Sequence, residues 1–237
     1  MTDSGAASKN DSAAADFDQI YRDGDTAGMS FERLPWDIGR PQPLLVQFEE
    51  AGRIAGEVLD IGCGPGDTAI YLSSRGYRVT GLDISPAAID QARHRAVLRG
   101  ITVTFEVADA TSLDGYEGCF DTVVSSQLLH CLEPFQREAH VAALTRVLKP
   151  GGRLIQFSFT LGESAQFYRL FSISEEDLRA TFTPPEWSID TLQSGHMEGF
   201  KPPEQLMQRF AEHGYHPDFT EDGLMLLPVC VLEARRV

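Results

Sequence analysis

The stretch Val58-Leu-Asp-Ile-Gly-Cys-Gly-Pro-Gly-Asp67 decides the fold. A short apolar run passes directly into three glycines and then into a helix-forming segment, Asp67 to Ser74. A strand, turn and helix in that order let backbone close in on a ligand at a helix N-terminus, because glycine brings no Cβ and admits positive φ. The spacing is G-x-G-x-G (Gly62, Gly64, Gly66, with Cys63 between the first two), not the G-x-G-x-x-G of the pyrophosphate fingerprint. Asp60 stands just before the turn. A carboxylate there repels a dinucleotide's phosphates and suits a ligand with an ammonium group. Spacing and acid both oppose a nicotinamide oxidoreductase, the rival enzyme class.

Outward from this turn the chain alternates. Tyr77 to Leu82 reads as a strand, and Pro86 to Arg99 as a helix with Ser85 as N-cap and Pro86 at its first position. Ile101, Val103, Phe105 and Val107 alternate as a strand should. Phe120 to Ser125 is a further strand, Phe135 to Leu148 a helix and Arg153 to Phe159 a strand. Such βαβα order predicts a parallel sheet with helices on both faces. Upstream, a helix is expected from about Pro43 to Ile54. The last third changes character: Ser174-Glu-Glu-Asp177 has the capping-box form and opens a helix to about Thr181. Strands are expected at Trp187 to Leu192 and Leu224 to Glu233. Between them a helical stretch runs from about Pro203 to His213 and ends at Gly214. No linker divides the chain, so one domain is expected over residues 16–237 behind a disordered tail, residues 1–15.

Three acids stand at the ends of three successive strands. Asp60 precedes the glycine turn, Asp83 closes the second strand about 20 residues on, and Asp109 follows the third in Val-Ala-Asp-Ala110. An acid in the second position accepts hydrogen bonds from both hydroxyls of a ribose, and one in the third suits an adenine amino group. Open α/β sheets bind ligands at this carboxyl edge.

With these residues in place the chain resembles the class I S-adenosylmethionine-dependent methyltransferases. VLDIGCGPGD resembles the family's first motif, GLDIS its ribose motif, VADA its adenine motif, FDTVVSSQLLHCL its fourth-strand motif and VLKPGGRL the turn before strand five. The match spans roughly residues 55–160 in order and spacing. The resemblance implies a Rossmann-like α/β fold with a mostly parallel seven-stranded sheet, order 3-2-1-4-5-7-6, strand seven antiparallel. It implies S-adenosyl-L-methionine as cofactor. Asp60, Gly62, Cys63, Gly64 and Gly66 would hold its methionine part, Asp83 with Ile84 its ribose, and Asp109 with Ala110 its adenine. Ser125 lies where the family lets backbone near strand four approach the sulfonium. Residues 16–54 are expected to form an N-terminal cover, and residues 161–237 the acceptor side.

For the acceptor, several classes are excluded. Ser125-Ser-Gln-Leu128 replaces the D/N-P-P-Y/F tetrad of enzymes that methylate amino groups of nucleic acids. Asp121 has no carboxylate neighbour with which to hold Mg²⁺, so no metal is expected. Leu34-Pro-Trp-Asp-Ile-Gly39 resembles a PWDxG stretch of thiol and halide methyltransferases, in which the tryptophan helps cover the cofactor. That role falls on Trp36. Gln-Leu-Leu-His-Cys-Leu132 is similar to heterocyclic toxin methyltransferases, which act on hydroxyls of quinolone-like compounds.

Gln127 and His130 stand about one helical turn apart and could both face the acceptor, with His130 as candidate general base. Met197, Phe200, Leu206, Met207 and Phe210 give the late helical stretch an apolar character, suited to packing on the sheet edge, a lid or a dimer contact. A phenolic or heterocyclic small molecule ranks above a small thiol, and a non-catalytic cofactor-binding protein is the alternative outside enzymology.

Composition bounds the partners. The chain has 237 residues with 35 Asp+Glu against 20 Lys+Arg, a formal charge of −15. Such a balance disfavours a partner held through its phosphates. The longest apolar run, Leu224 to Leu232, is broken by Pro228 and falls short of the roughly 18 residues a membrane span needs. The opening MTDSGAASKNDSAAADFD lacks the basic and apolar regions of a secretory signal. Cys63, Cys119, Cys131 and Cys230 show no paired spacing and read as free buried thiols in a cytoplasmic protein, monomer or homodimer.

Overall fold

The computed structural model describes residues 17–26, 29–30, 33–160, 172–212 and 214–237; the expected N-terminal tail lies outside them. A helix over residues 17–23 (α1) leads to a small antiparallel pair, β1 (Asp25–Thr26) with β2 (Met29–Ser30). Then follow α2 (Pro43–Glu50), β3 (Glu57–Ile61), α3 (Asp67–Ser74), β4 (Arg78–Asp83), α4 (Pro86–Arg99), β5 (Thr104–Val107) and β6 (Phe120–Ser126). After a 3₁₀ turn at Leu129–Cys131 come α5 (Pro134–Val147), β7 (Leu148–Phe159), α6 (Glu175–Thr181), β8 (Trp187–Gly199), α7 (Glu204–Glu212) and β9 (Met225–Arg236).

The main sheet has the order β5-β4-β3-β6-β7-β9-β8, with β9 antiparallel to both its neighbours and the other pairs parallel. Counted within the sheet this is the expected 3-2-1-4-5-7-6 of the Rossmann-like class I methyltransferase fold. Alternation along the central strands splits the core in two. Leu59, Ile61, Val123 and Leu154 pack with α5 and α6, whereas Val58, Val124 and Ile155 pack with α3 and α4. Leu59, Ile61 and Leu82 are wholly buried, each burial contributing about 1.5–3 kcal/mol.

Local chemistry sets the helix ends. Ser85 accepts from the Ala88 N–H with Pro86 at the first position, as expected, and Gly100 closes α4 at φ 66°. Ser174 and Asp177 form the expected reciprocal capping box. Glu133 and Gln136 form a second one that starts α5.

Several elements differ from the reading, β9 among them, which runs on past Glu233 to Arg236. α2 stops at Glu50, not Ile54, because Gly52 turns the chain at φ 67°. β5 starts at Thr104, since Ile101 donates its N–H to Ala96 and belongs to the α4 cap. β7 starts at Leu148, which pairs with Phe120 ahead of a register shift, and Gly151 and Gly152 lie within the strand and not in a turn before it. β8 continues past Leu192 to Gly199, paired along β9 throughout. Met197 therefore lies in a strand and not in the late helical stretch. A Cβ at Gly195 would stand 2.9 Å from Val231 Cγ2, so the glycine serves close strand packing.

Candidate active site

The carboxyl edge of β3, β4 and β5 brings the three acids together. Asp60 ends inside β3, 2% exposed, and the Ala69 N–H of α3 donates to its carboxylate. Its Oδ2 is buried without a hydrogen-bond partner among the described residues. Burial, against that donor and with the charges of Asp83 and Asp67, raises its pKa to about 7. A buried carboxylate oxygen with no partner costs free energy until a donor or cation reaches it. An ammonium group would satisfy it.

The glycine turn rests on β4, with Gly62 and Cys63 N–H both donating to Leu82 O at 2.8 and 3.0 Å. Gly66 is the N-cap of α3 at φ 84°, and a Cβ there would meet Phe105 at 2.7 Å and Ala92 at 2.9 Å. Gly64 adopts φ 50°, and a Cβ on it would stand 2.8 Å from Tyr21 Oη. Only glycine leaves the space above the turn open. Asp83 takes the Gly64 N–H on Oδ2 (2.8 Å) and the Ser85 N–H on Oδ1 (2.9 Å), so its carboxylate is fixed between turn and helix. Burial still raises its pKa. A carboxylate accepts about four hydrogen bonds, so capacity remains for hydroxyls. Ile84 follows in the same turn. Asp109 holds the Thr111 N–H and hydroxyl on Oδ1 (2.8 and 2.7 Å), and Ala110 O meets His140 Nδ1 at 2.8 Å.

On the other half of the edge the groups are neutral. Ser125 lies between Ile61 and Gln156 in the sheet, wholly buried, and neither its Oγ nor Gln156 Oε1 has a partner among the described residues. Gln127 takes φ 62°, a left-handed backbone that costs a non-glycine residue about 1 kcal/mol. Its amide nitrogen faces Met197 Sδ at 3.1 Å, a weak acceptor.

His130 sits in the 3₁₀ turn, not one α-helical turn from Gln127. It is 8% exposed, its Nδ1 accepts from the Phe159 N–H at 3.4 Å, and its ring lies 6.1 Å from that of Phe159. Burial and the nearby Arg137 lower its pKa to about 4. With Nδ1 accepting, the proton resides on Nε2.

Trp36 is 37% exposed, and its Nε1–H donates to Tyr21 Oη at 3.1 Å with the rings edge to face. The segment carrying it is fastened at both ends. Arg95 bridges Asp37 and Asp67 at 2.6 and 2.7 Å, and Arg99 reaches Asp67 and Gly39 O. On the far side the Gln42 amide exchanges two 2.8 Å hydrogen bonds with the backbone of Glu198, and the Phe200 N–H donates to Pro35 O.

Sequence reasoning missed Tyr21 over the glycine turn, Gln156 beside Ser125 and the role of β8 beside Gln127, because only the fold brings these distant positions together. All four cysteines are free, but Cys119 is exposed, contrary to the expected burial. Burial pushes the Cys63 thiol up, and the Cys131 thiol up to about 12, so both stay protonated. Among the described residues no cluster of His, Cys, Asp or Glu is arranged to hold a metal ion, and no helix is long and apolar enough to cross a membrane.

This geometry can be set beside known proteins. Residues 58–152 match the methyltransferase domain family. The chain is 36% identical over 205 residues to the 2-heptyl-1-hydroxyquinolin-4(1H)-one methyltransferase of Mycobacteroides abscessus, which covers 83% of this chain and 87% of that protein. A solved structure described as "Conversion of a Disulfide Bond into a Thioacetal Group during Echinomycin Biosynthesis" superposes with a TM-score of 0.77 at 35% identity, covering 93% of this chain and 90% of the other. An S-adenosylmethionine-dependent methyltransferase from Methanosarcina mazei shares the fold, with a TM-score of 0.62 at 23% identity over 84% of this chain and 99% of that one. The chain therefore belongs to the S-adenosylmethionine-dependent methyltransferases. It is an enzyme of that family, with S-adenosylmethionine as its cofactor.

Proposed function

We propose that the protein transfers a methyl group to an oxygen of a small aromatic heterocycle, a hydroxyquinolone-like N-hydroxyl or a phenol. The observation that carries this reading is the likeness to the hydroxyquinolone methyltransferase along 83% of the chain, reaching beyond the cofactor half. The site agrees with it. Asp60 with the glycine turn holds the methionine part, Asp83 and Ile84 the ribose, and Asp109 with Ala110 the adenine, while Trp36 covers them. Ser125 lies closest to the boundary with the acceptor.

S-adenosylmethionine supplies a methyl group already activated on a sulfonium. The work left to the chain is to align the acceptor in line, exclude water and accommodate a proton. Gln127 and Met197 present a neutral surface to the acceptor. His130 fits better as an Nε2–H donor orienting the acceptor oxygen than as the base expected from sequence, because its Nδ1 is engaged and its pKa is about 4. An acceptor that ionises readily, such as an N-hydroxyl, needs no stronger base.

A sulfur acceptor is the second reading. It is favoured by the 35% identity to the protein associated with conversion of a disulfide to a thioacetal. We read residues 16–237 as one domain, in the cytoplasm in keeping with four free cysteines.

The test is incubation with labelled S-adenosylmethionine against hydroxyquinolones, phenols, thiols, cyclic disulfides and iodide, with identification of the products. Transfer to the N-hydroxyquinolone is expected; transfer confined to sulfur compounds and iodide would overturn the oxygen reading.

A further inference from the structure

We propose that Tyr21 is a cofactor residue: its hydroxyl donates a hydrogen bond to the α-carboxylate of S-adenosylmethionine, and Asp18 holds the helix that presents it. The need for such a donor follows from the floor of the site. Asp60, Asp83 and Asp109 match an ammonium group, hydroxyls and an amino group, and none of them can accommodate a carboxylate. Arg33 and Arg95, which line the same cleft as Tyr21, and Arg99 behind them are engaged elsewhere. Arg95 is held by Asp37 and Asp67, Arg99 by Asp67 and Gly39 O, and Arg33 lies 4.0 Å over the ring of Phe200. The one anionic group of the cofactor thus meets an acidic surface, and its donor must come from above.

Tyr21 stands there. Its Oη lies 2.8 Å from the position of a Cβ on Gly64, directly over the turn. The Trp36 indole N–H donates to this oxygen, so the phenol proton is left to be given outward, and a donated hydrogen bond polarises the O–H it acts on. Burial and the charge of Asp83 hold the phenol well above its usual pKa, so it remains a donor across the physiological range.

The placement is registered to the cofactor floor. Asp18 Oδ1 accepts from the Ser85 hydroxyl (2.9 Å) and the Ala87 N–H (2.8 Å) in the first turn of α4, the helix that begins just after Asp83. The Gln91 amide, one turn further along, donates to Tyr21 O at 2.7 Å. Asp18 is therefore a positioning residue. It ties α1 to the same helix end whose preceding residue binds ribose.

The experiment is calorimetric binding to the full chain of S-adenosylmethionine and of its decarboxylated analogue, with wild type, Tyr21→Phe and Asp18→Ala. A hydrogen bond to a charged group predicts that wild type prefers the carboxylated ligand by about tenfold or more. Tyr21→Phe is expected to bring that ratio towards one while the analogue's own affinity stays within about twofold. Asp18→Ala is expected to lower the ratio in the same direction by a smaller factor. A Tyr21→Phe protein that keeps the wild-type ratio, or that weakens both ligands equally, would overturn the assignment. So would a wild type without preference. None of these readouts depends on the acceptor, so they stand or fall separately from the reading of the reaction.

Discussion

Along the β3-β4-β5 half of the carboxyl edge, the polar side chains are acids anchored by backbone donors. Along the β6-β7 half they are neutral: Ser125, Gln127, His130 and Gln156. The difference shows in how burial acts on each half. Asp60 and Asp83 are pushed towards higher pKa because ionised carboxyls are desolvated there, whereas His130 is pushed down to about 4 and stays neutral. One half is a fixed template for a ligand with cationic and hydroxyl groups. The four side chains named on the other half carry no charge by which to choose a ligand, so shape and hydrogen bonding do so there. That division fits a family that keeps its cofactor and changes its acceptors.

The comparison breaks most sharply at Asp83. Asp83→Ala removes the acceptor for the Gly64 and Ser85 N–H groups together with the proposed ribose contacts. Cofactor affinity measured by calorimetry is expected to fall about 100-fold or more, on the scale of two hydrogen bonds to a charged group.

The pH dependence of Asp60 comes next. Its folded pKa of about 7 means that the free protein holds this proton below pH 7. An ammonium ligand requires the ionised form, so the affinity for S-adenosylhomocysteine is expected to rise with pH from about 5.5 to 7, by up to about tenfold per unit. Asp60→Asn should flatten that slope. Stability of the free chain runs the opposite way: a raised carboxyl pKa favours the folded state at low pH and is lost as pH rises through about 7.

His130 and His140, both lowered to about 4, give the contrary sign. Folded and neutral, they lose stability as pH falls from about 6.5 towards 4, because the unfolded chain binds those protons first. Thermal midpoints across this range should drop, and less so in His140→Asn. On the acceptor side, His130→Ala is expected to lower kcat/KM about tenfold with cofactor affinity unchanged. A rate profile with no inflection near the histidine range would accompany a donor role.

The smallest effect is expected at Gln127. Gln127→Gly removes the left-handed strain and should raise stability by about 0.5–1 kcal/mol in denaturant titrations, while turnover falls. A gain in both would detach Gln127 from the acceptor.

The cofactor half was legible almost residue by residue, because a strand-to-helix turn is local chemistry. Gly66 as N-cap, Ser85 with Pro86 at the start of α4 and three acids at successive strand ends need only neighbours in sequence to be recognised. The acceptor half was legible in outline only. Gln127 and His130 stand about one helical turn apart in sequence, but a left-handed residue and a 3₁₀ turn separate their directions. Nothing in the Met197 neighbourhood marks it as a strand. Its pairing with Leu227 on β9 does.

Sequence alone determined the strand-to-helix alternation, which rests on short-range spacing and hydrophobic periodicity, and the resemblance of its motifs implied the family and the sheet order. Tertiary structure alone decided what closes the site. Tyr21 over Gly64, Asp18 on α4 and Gln42 on Glu198 join positions up to 156 residues apart, through contacts that carry no local pattern. Such contacts form because the folded sheet brings these segments to one edge, where buried donors and acceptors must find partners.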